Sequence, residues 1–352
     1  MKFEVLASVG RARVGRLTTG HGLVETPVFM PVATSGAVKS LPIWELEGLG
    51  AEIILGNAYH LHSRPGEESI AQAGGLHQWM SWPKPILTDS GGYQAYSLGA
   101  TRAKRAKTTD EGVRLLSHID GRKLFLTPEL VLDIQLKLGS DISMVLDDCP
   151  PHPVGEKRLA IAVERTGEWA LRSINHWRSR EVGERGIFGI VQGGSNQELR
   201  RQSLESVQNL PFDGLAIGGV SVGEGKELMA AAVESIADEM DSRRPRYLMG
   251  VGEPIDLISM VARGIDMFDC VLPTRLARHG AFWVKNGYQR LDIRRAEFAT
   301  DRGALDPDCS CSTCRRFGRD YLRHLFMLRE PVAGTYLTIH NLHLIFSLIA
   351  EV

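Results

Sequence analysis

The sequence predicts a (β/α)8 TIM barrel of the α/β class, on three observations. Eight short apolar runs recur along the 352 residues, helical segments separate most of them, and each run ends in polar or glycine residues. Most of the runs are continuous rather than alternating, which is the pattern of parallel strands buried on both faces. Strands that alternate with helices in this way close into a barrel whose strand C-termini form one mouth.

Taken in order, the first run is residues 25–32 and the second is residues 51–56, ending at Asn57. The third, residues 85–88, ends in Asp89-Ser90-Gly91-Gly92. The clearest helix follows at residues 127–138, with Thr127 as N-cap, Pro128 in the first turn and Gly139 as the stop. The fourth run, residues 141–146, ends in Asp147-Asp148-Cys149, and the fifth, residues 187–191, in Gln192-Gly193-Gly194. The sixth, residues 214–217, leads into Gly218-Gly219, and the seventh, residues 247–249, into Gly250-Val251-Gly252-Glu253. The eighth, residues 265–268, ends at Asp269. Any one of these termini reads as an ordinary turn residue; eight converging on one mouth read as a catalytic cleft. No G-x-G-x-x-G opens a helix after a strand and no P-loop is present, so neither nucleotide-binding fingerprint applies.

Composition sets the context. Hydrophobic residues make up 43% and charged residues 24%, ordinary for a soluble domain. The N-terminal segment has no apolar stretch of signal length, and no run approaches the roughly 20 residues that span a bilayer, which points to a cytoplasmic protein with no membrane partner. The net charge of −1 conceals two basic clusters, Arg102-Lys104-Arg105-Lys107 and Arg315-Arg316-Arg319-Arg323. Local patches of this kind can hold a phosphate backbone or can be solvated faces.

Two groups carry chemistry. Cys309-x-Cys311-x-x-Cys314 has metal-site spacing, and any of the downstream His324, His340 and His343 would complete a Cys3His zinc site; Cys149 and Cys270 are isolated. Asp89, Asp147 and Asp269 stand at one mouth. Two carboxylates there can act as nucleophile and general acid/base in a displacement at a sugar carbon, can hold a divalent metal, or can cap strands.

Longer stretches are more specific. Thr88-Asp-Ser-Gly-Gly-Tyr-Gln94, Val191-Gln-Gly-Gly194, Ala216-Ile-Gly-Gly219 with Val222-Gly-Glu224, Met249-Gly-Val-Gly252 and Phe268-Asp-Cys-Val-Leu-Pro-Thr-Arg275 resemble the tRNA-guanine transglycosylase family. The cysteine cluster followed by His340-Asn341 is similar to the same family, and the resemblance runs in order from about residue 10 to the C-terminus. It implies a barrel over residues 1–283, with an N-terminal hairpin and an insertion between strands 3 and 4. A zinc-binding subdomain over residues 284–345 then follows the eighth strand, and residues 346–352 end a C-terminal helix packed on the barrel. It also implies one structural Zn2+ held by Cys309, Cys311, Cys314 and His340.

The same resemblance implies the reaction. Asp269 would attack C1′ of the guanosine at the wobble position of G-U-N anticodons, and Asp89 would serve as general acid/base, so that two displacements exchange guanine for a 7-deazaguanine. Asp147, Gln192 and the Gly218-Gly219 backbone would read the base edge, with Tyr93 stacking and Ser90, Cys149, Val220, Met249 and Gly250 completing the pocket. Arg275, Arg278, Arg315 and Arg316 would touch RNA. Cys149 and Val222 resemble the bacterial enzymes that take preQ1, 7-aminomethyl-7-deazaguanine, in the anticodon stem-loops of the histidine, aspartate, asparagine and tyrosine tRNAs, as homodimers. The alternatives are an enzyme that takes queuine, a non-catalytic tRNA-binding subunit of the same fold, and a barrel hydrolase acting on a free nucleoside. The chain departs from the family pattern at Asp148, where glutamate is usual, at Val220-Ser221 and at Leu276-Ala277.

Overall fold

The computed structural model of the protein describes residues 1–94 and 106–352, so Arg102, Lys104 and Arg105 of the first basic cluster lie outside the described residues. The chain opens with an antiparallel sheet of β1 (Lys2–Val9), β2 (Ala12–Thr19) and β3 (Gly22–Thr26), one strand more than the hairpin read from the sequence. Arg13 anchors this sheet beneath the barrel. Its guanidinium donates to both carboxylate oxygens of the buried Asp266, at 2.8 and 2.5 Å.

The barrel begins with β4 (Val28–Ala33) and α1 (Ile43–Gly48), then β5 (Ile54–Asn57) with α2 (Ala58–Ser63), α3 (Glu67–Gln72) and α4 (Leu76–Met80). The apolar run at residues 25–32 is therefore divided. Pro27, which has no N–H for a ladder, separates the end of β3 from β4. After β6 (Ile86–Asp89) an antiparallel sheet is inserted, formed by β7 (Ala106–Thr109), β8 (Gly112–Leu116) and β9 (Lys123–Leu126), with Lys107 of the basic cluster on its first strand. Helix α5 (Pro128–Leu138) starts and stops where its sequence predicts. Thr127 Oγ1 accepts from the Leu130 N–H at 3.3 Å, and Gly139 takes a left-handed φ of 77°.

Strand β10 (Ile142–Met144) is followed by the long α6 (Glu156–Arg178), β11 (Gly186–Val191), α7 (Gln197–Gln208), β12 (Gly214–Ile217) and α8 (Lys226–Ala237). Then come β13 (Arg246–Leu248), α9 (Pro254–Val261), β14 (Met267–Cys270) and α10 (Leu272–Arg278). The eight strands β4, β5, β6 and β10 to β14 form a closed parallel barrel, with β14 returning to β4. Each of the eight apolar runs overlaps one of them. Every residue of β4, β5, β10, β11, β12 and β13 is buried, which is why their sequences do not alternate. Each fully buried Leu, Ile or Phe there contributes about 1.5–3 kcal/mol of hydrophobic transfer.

Beyond β14 lie a hairpin, β15 (Ala281–Val284) and β16 (Gln289–Asp292), the cysteine loop, α11 (Arg319–Met327) and α12 (Pro331–Glu351). A small second core of Phe282, Ile293, Phe298, Leu305, Leu322 and Leu337 holds this region together. Helix α12 corrects one expectation, because its 21 residues are long and apolar enough to cross a membrane. Thr338, His340, Asn341 and His343 interrupt its apolar run in the sequence. Leu337, Leu342, Ile345 and Leu348 are buried as it packs on β4, α10 and β15, so it serves as a core helix.

Candidate active site

The C-termini of the barrel strands place the three aspartates and their partners at one end. Asp269, at the end of β14, accepts from the Tyr247 hydroxyl of β13 at 2.5 Å and from the Gly250 N–H at 2.8 Å, both on Oδ1. Burial raises its pKa, while the two donors favour the ionised form. Two charge-stabilising bonds to a carboxylate leave Oδ2 without a partner among the described residues, so it is available to a reacting carbon.

Asp89 ends β6, in register with Asn57 at the end of β5. Asn57 has two tasks. Its Oδ1 caps α2 by accepting from the His60 N–H at 3.0 Å, and its Nδ2 donates to Asp89 Oδ2 at 2.6 Å. The Gly91 N–H donates to Asp89 Oδ1 at 3.1 Å. Burial first, then the charges of Asp269 and Asp147, push the Asp89 carboxyl up to about 7. A carboxyl that titrates near neutrality, beside one held by two donors, is the divided arrangement that acid/base catalysis at a displacement centre needs.

Asp147 and Gln192 form the floor beside this pair. Gln192 Nε2 donates to Asp147 Oδ2 at 2.6 Å, and Gln192 Oε1 is buried with no partner. Burial raises the Asp147 pKa to about 6. Two glycines are required by this packing. A Cβ on Gly92 would lie 2.2 Å from Asp147 Oδ1, and one on Gly219, where φ is +66°, would lie 2.2 Å from Gln192 Oε1. Cys149 is buried against Gln192 and the Gly219 backbone, and burial pushes its thiol far above the ordinary range. Ser90 and Val220 are buried, Met249 is half-buried, and Gly250 and Tyr93 are exposed at the rim. Every base-site residue named from the sequence thus lies at a strand C-terminus or on the loop that follows it.

Two residues that shape this floor, Tyr247 and Arg200, were not singled out in the sequence. Tyr247 lies within a buried strand, and a fully buried phenol requires an acceptor; that was the available signal. Arg200 on α7 is fully buried, donating to the carbonyls of Gly194 at 2.6 Å and Gly218 at 3.2 Å, so that one guanidinium ties the β11 and β12 loops. Burial lowers its pKa to about 10, which still leaves it cationic at neutral pH. Glu224 accepts from the N–H groups of Ser221 and Val222, supporting Ser221 in a left-handed φ of 62°. Ser221 in turn donates to the Gly250 carbonyl at 3.1 Å, linking the loops after β12 and β13. The shortened carboxylate Asp148 is buried in ion pairs with Arg158 and Arg165, each at 2.6 Å, and anchors the loop that carries Asp147 and Cys149 to α6.

Tyr247→Phe tests the support of Asp269. Loss of a hydrogen bond to a charged group costs about 1.5–3 kcal/mol, so turnover should fall roughly tenfold to a hundredfold. Because the ionised carboxylate loses a donor, the Asp269 pKa rises and the acid limb of the pH–rate profile moves to higher pH. An unchanged acid limb would refute the role.

Away from the mouth, Cys309, Cys311, Cys314 and His340 gather so that their ligand atoms lie within 4.8 Å of one another. His340 Nδ1 faces Cys314 Sγ at 3.3 Å while its Nε2 donates to the Trp283 carbonyl at 2.7 Å, so the ring is held in the tautomer a metal requires. The set could hold a metal ion. His343 contacts Cys309 Sγ at 3.6 Å and Ser310 at 3.3 Å, and His324 is outside the group. Asn341, the residue after His340, stitches this region to the barrel end through Trp283 N–H, Pro273 O and Ala281 O.

The arginines divide. Arg275, Arg315 and Arg316 are exposed and Arg278 is half-buried. Arg319 is committed to Asp301 and the Leu305 carbonyl, both at 2.9 Å, and Arg323 donates to the Arg295 carbonyl at 3.0 Å. Of the basic face read from the sequence, Arg315 and Arg316 are the exposed members, while Arg319 and Arg323, on α11, are half-buried and bonded to neighbouring carbonyls and a carboxylate.

A closed parallel barrel with two unlike carboxylates at its C-terminal face and an appended thiol loop is an architecture of the barrel-enzyme class, suited to displacement at a sugar carbon. The family model described as queuine tRNA-ribosyltransferase matches residues 8–352, and the chain belongs to that family of tRNA-guanine pentosyltransferases. It is 52% identical over 348 residues to the queuine tRNA-ribosyltransferase of Desulforudis audaxviator, covering 98% of this chain and 91% of that one. It is 49% identical to the protein of the same name from Thioalkalivibrio sulfidiphilus, covering 100% and 92% of the two chains. The Acinetobacter baumannii protein of that name is also 49% identical, covering 97% and 89%.

Proposed function

We propose that the protein exchanges guanine at the wobble position of G-U-N anticodons for preQ1, by double displacement through a covalent ribosyl-aspartate. The observation that carries this reading is the split pair: Asp269 held by Tyr247 and Gly250, and Asp89 raised to about 7. Asp269 Oδ2 attacks C1′, the C1′–N9 bond breaks, and the departing guanine takes its proton from Asp89, which is left as the carboxylate. Guanine is then replaced, Asp89 takes the N9 proton of the incoming base, N9 attacks C1′ and the Asp269 ester bond breaks. Two inversions retain the anomeric configuration.

In the base pocket, Asp147 accepts from N1 and the exocyclic amine, Gln192 and the Gly218-Gly219 backbone address O6, Tyr93 stacks, and the Val220 carbonyl receives the aminomethyl group. The Cys149–Val222 pair supports preQ1 over queuine. The substrates are the anticodon stem-loops of the histidine, aspartate, asparagine and tyrosine tRNAs, contacted by Arg275, Arg278, Arg315 and Arg316, in a cytoplasmic homodimer. Cys309, Cys311, Cys314 and His340 hold one Zn2+, which would supply a closed structural crosslink and no open coordination position. Residues 1–283 form the catalytic unit, 284–345 the zinc-binding subdomain and 346–352 the end of the last helix.

Replacement of radiolabelled guanine in tRNA by each free base tests the substrate. Efficient use of queuine would overturn the preQ1 assignment, and exchange without an anticodon stem-loop would overturn the tRNA one. A second test uses Asp89. Its folded pKa lies above the ordinary aspartate value of 3.8, so the folded state keeps a proton that the unfolded chain releases. The stability this confers is complete at low pH and is lost as pH rises toward about 7. Asp89→Asn should therefore unfold at a higher temperature than wild type at pH 8, by thermal denaturation, while base exchange collapses. A lower melting temperature at pH 8 would show that the buried charge carries no such cost.

A further inference from the structure

The opposite face of the barrel carries a cluster that transglycosylation does not use. Asp141, 3% exposed, precedes β10 and accepts from the Ile86 N–H at 2.8 Å. The same carboxylate meets His21 Nδ1 at 2.7 Å and His77 Nε2 at 3.0 Å. His21 comes from the turn between β2 and β3, and His77 from α4. Their rings stack, with centroids 3.5 Å apart and planes 12° from parallel. The ligand atoms of the three residues lie within 4.8 Å of one another.

A further carboxylate borders this cluster. A Cβ placed on Gly20 would lie 3.6 Å from Glu184 Oε2 and 3.8 Å from Asp141 Oδ1, so both carboxylates border the same point. A cavity of about 360 Å³ opens beside them, lined by Gly20, His21, Asp141, Glu184 and Arg185.

We propose that His21, His77 and Asp141 form a second divalent-metal site at the N-terminal face, bordered by Glu184 and taking a first-row transition ion of the zinc class. Two imidazoles and carboxylate oxygens are a donor set for zinc, cobalt or nickel rather than for calcium or magnesium. Donors around a tetrahedral ion with bonds of about 2.0–2.2 Å sit roughly 3.3 Å apart. On binding, the present contacts of 2.7 and 3.0 Å open by a few tenths of an ångström and the two stacked rings tilt out of parallel, so that both lone pairs converge on the ion. Each imidazole would bind through the nitrogen that now faces Asp141, and Asp141 keeps the Ile86 N–H. Arg185, lining the same cavity, offers a cation but no donor atom.

The position assigns the role. The N-terminal face of such a barrel is where stability rather than catalysis is built. An ion here would pin the β2–β3 turn, α4, the start of β10 and the loop before β11 together, reinforcing the Arg13–Asp266 anchor of the N-terminal sheet.

The test is a titration of zinc-loaded, full-length protein with Co2+. One further equivalent should bind per chain, with weak visible bands and without the intense near-ultraviolet band of cobalt thiolate. At a hundredfold excess over the dissociation constant the melting temperature should rise by roughly 5 °C. His21→Ala is the informative variant because the His21 side chain is 44% exposed and its loss leaves the core untouched. It should lose the second equivalent and the thermal shift while keeping its thiolate-bound zinc and its base exchange; His77→Gln provides a second check. Absence of a second equivalent up to millimolar Co2+, cobalt entering only the thiolate site, or full binding by His21→Ala would each overturn the proposal.

Discussion

Asp269→Asn should lower guanine exchange on the order of 10⁴- to 10⁶-fold, the scale on which loss of a covalent nucleophile acts, and should abolish any covalent tRNA adduct. Asparagine is isosteric, and its Oδ1 can still accept from Tyr247 and Gly250, so the loops after β13 and β14 keep their contacts. What disappears is the charge. A neutral amide neither attacks C1′ nor offsets the positive charge that develops on the sugar. The barrel should remain folded, since Asn removes the burial cost that raises the Asp269 pKa. The readouts are single-turnover exchange of labelled guanine, gel analysis of denatured enzyme–tRNA mixtures and thermal denaturation. Exchange within tenfold of wild type would mean that another group forms the bond to ribose.

Replacing Cys314 by alanine, or stripping metal with a strong chelator, should unfold the cysteine loop with α11 and remove tRNA binding, while the barrel and the α12 helix packed on it persist. The reason is the small size of the second core, six buried apolar residues and Ala277. Such a core is marginal alone, and structural zinc in small domains contributes about 10–16 kcal/mol of apparent binding energy near neutral pH. His340 is fully buried, and its Nε2 bond to the Trp283 carbonyl transmits the constraint to β15. Metal analysis should show loss of the thiolate-bound equivalent, and tRNA affinity should fall measurably with it. A Cys309→Ala/Cys314→Ala protein that modifies tRNA normally would refute this role.

Much of the architecture was legible because parallel barrel strands are buried on both faces and so leave continuous apolar runs. Residues 187–191 and 214–217 illustrate this, coinciding almost residue for residue with β11 and β12. The helix at Pro128–Leu138 was legible at both ends for local reasons, a capping threonine and a left-handed glycine. Where the reading was incomplete, the missing information was a distant partner. Tyr247 looks like any strand tyrosine until β14 brings Asp269 to it, 22 positions along the chain. Arg200 looks like a surface arginine of α7 until the loops after β11 and β12 present their carbonyls. The four arginines after the cysteines look alike, but Asp301 and the Arg295 carbonyl engage two of them in bonds within the protein. Helix α12 was obscured because its polar residues are the ones that tie it to Trp283, Pro273 and the cysteine loop.

By itself the sequence determined the alternation of elements, the positions of Asp89, Asp147 and Asp269 at strand ends and the spacing of three thiols, since all of these follow from local periodicity and short-range chain geometry. The tertiary structure alone decided what each group experiences. It set which carboxylate is held by two donors and which titrates near neutrality, which histidine meets the thiols, and why two imidazoles from separate elements share Asp141. Burial and through-space charge act between residues dozens to hundreds of positions apart, and only closure of the barrel brings them within reach of one another.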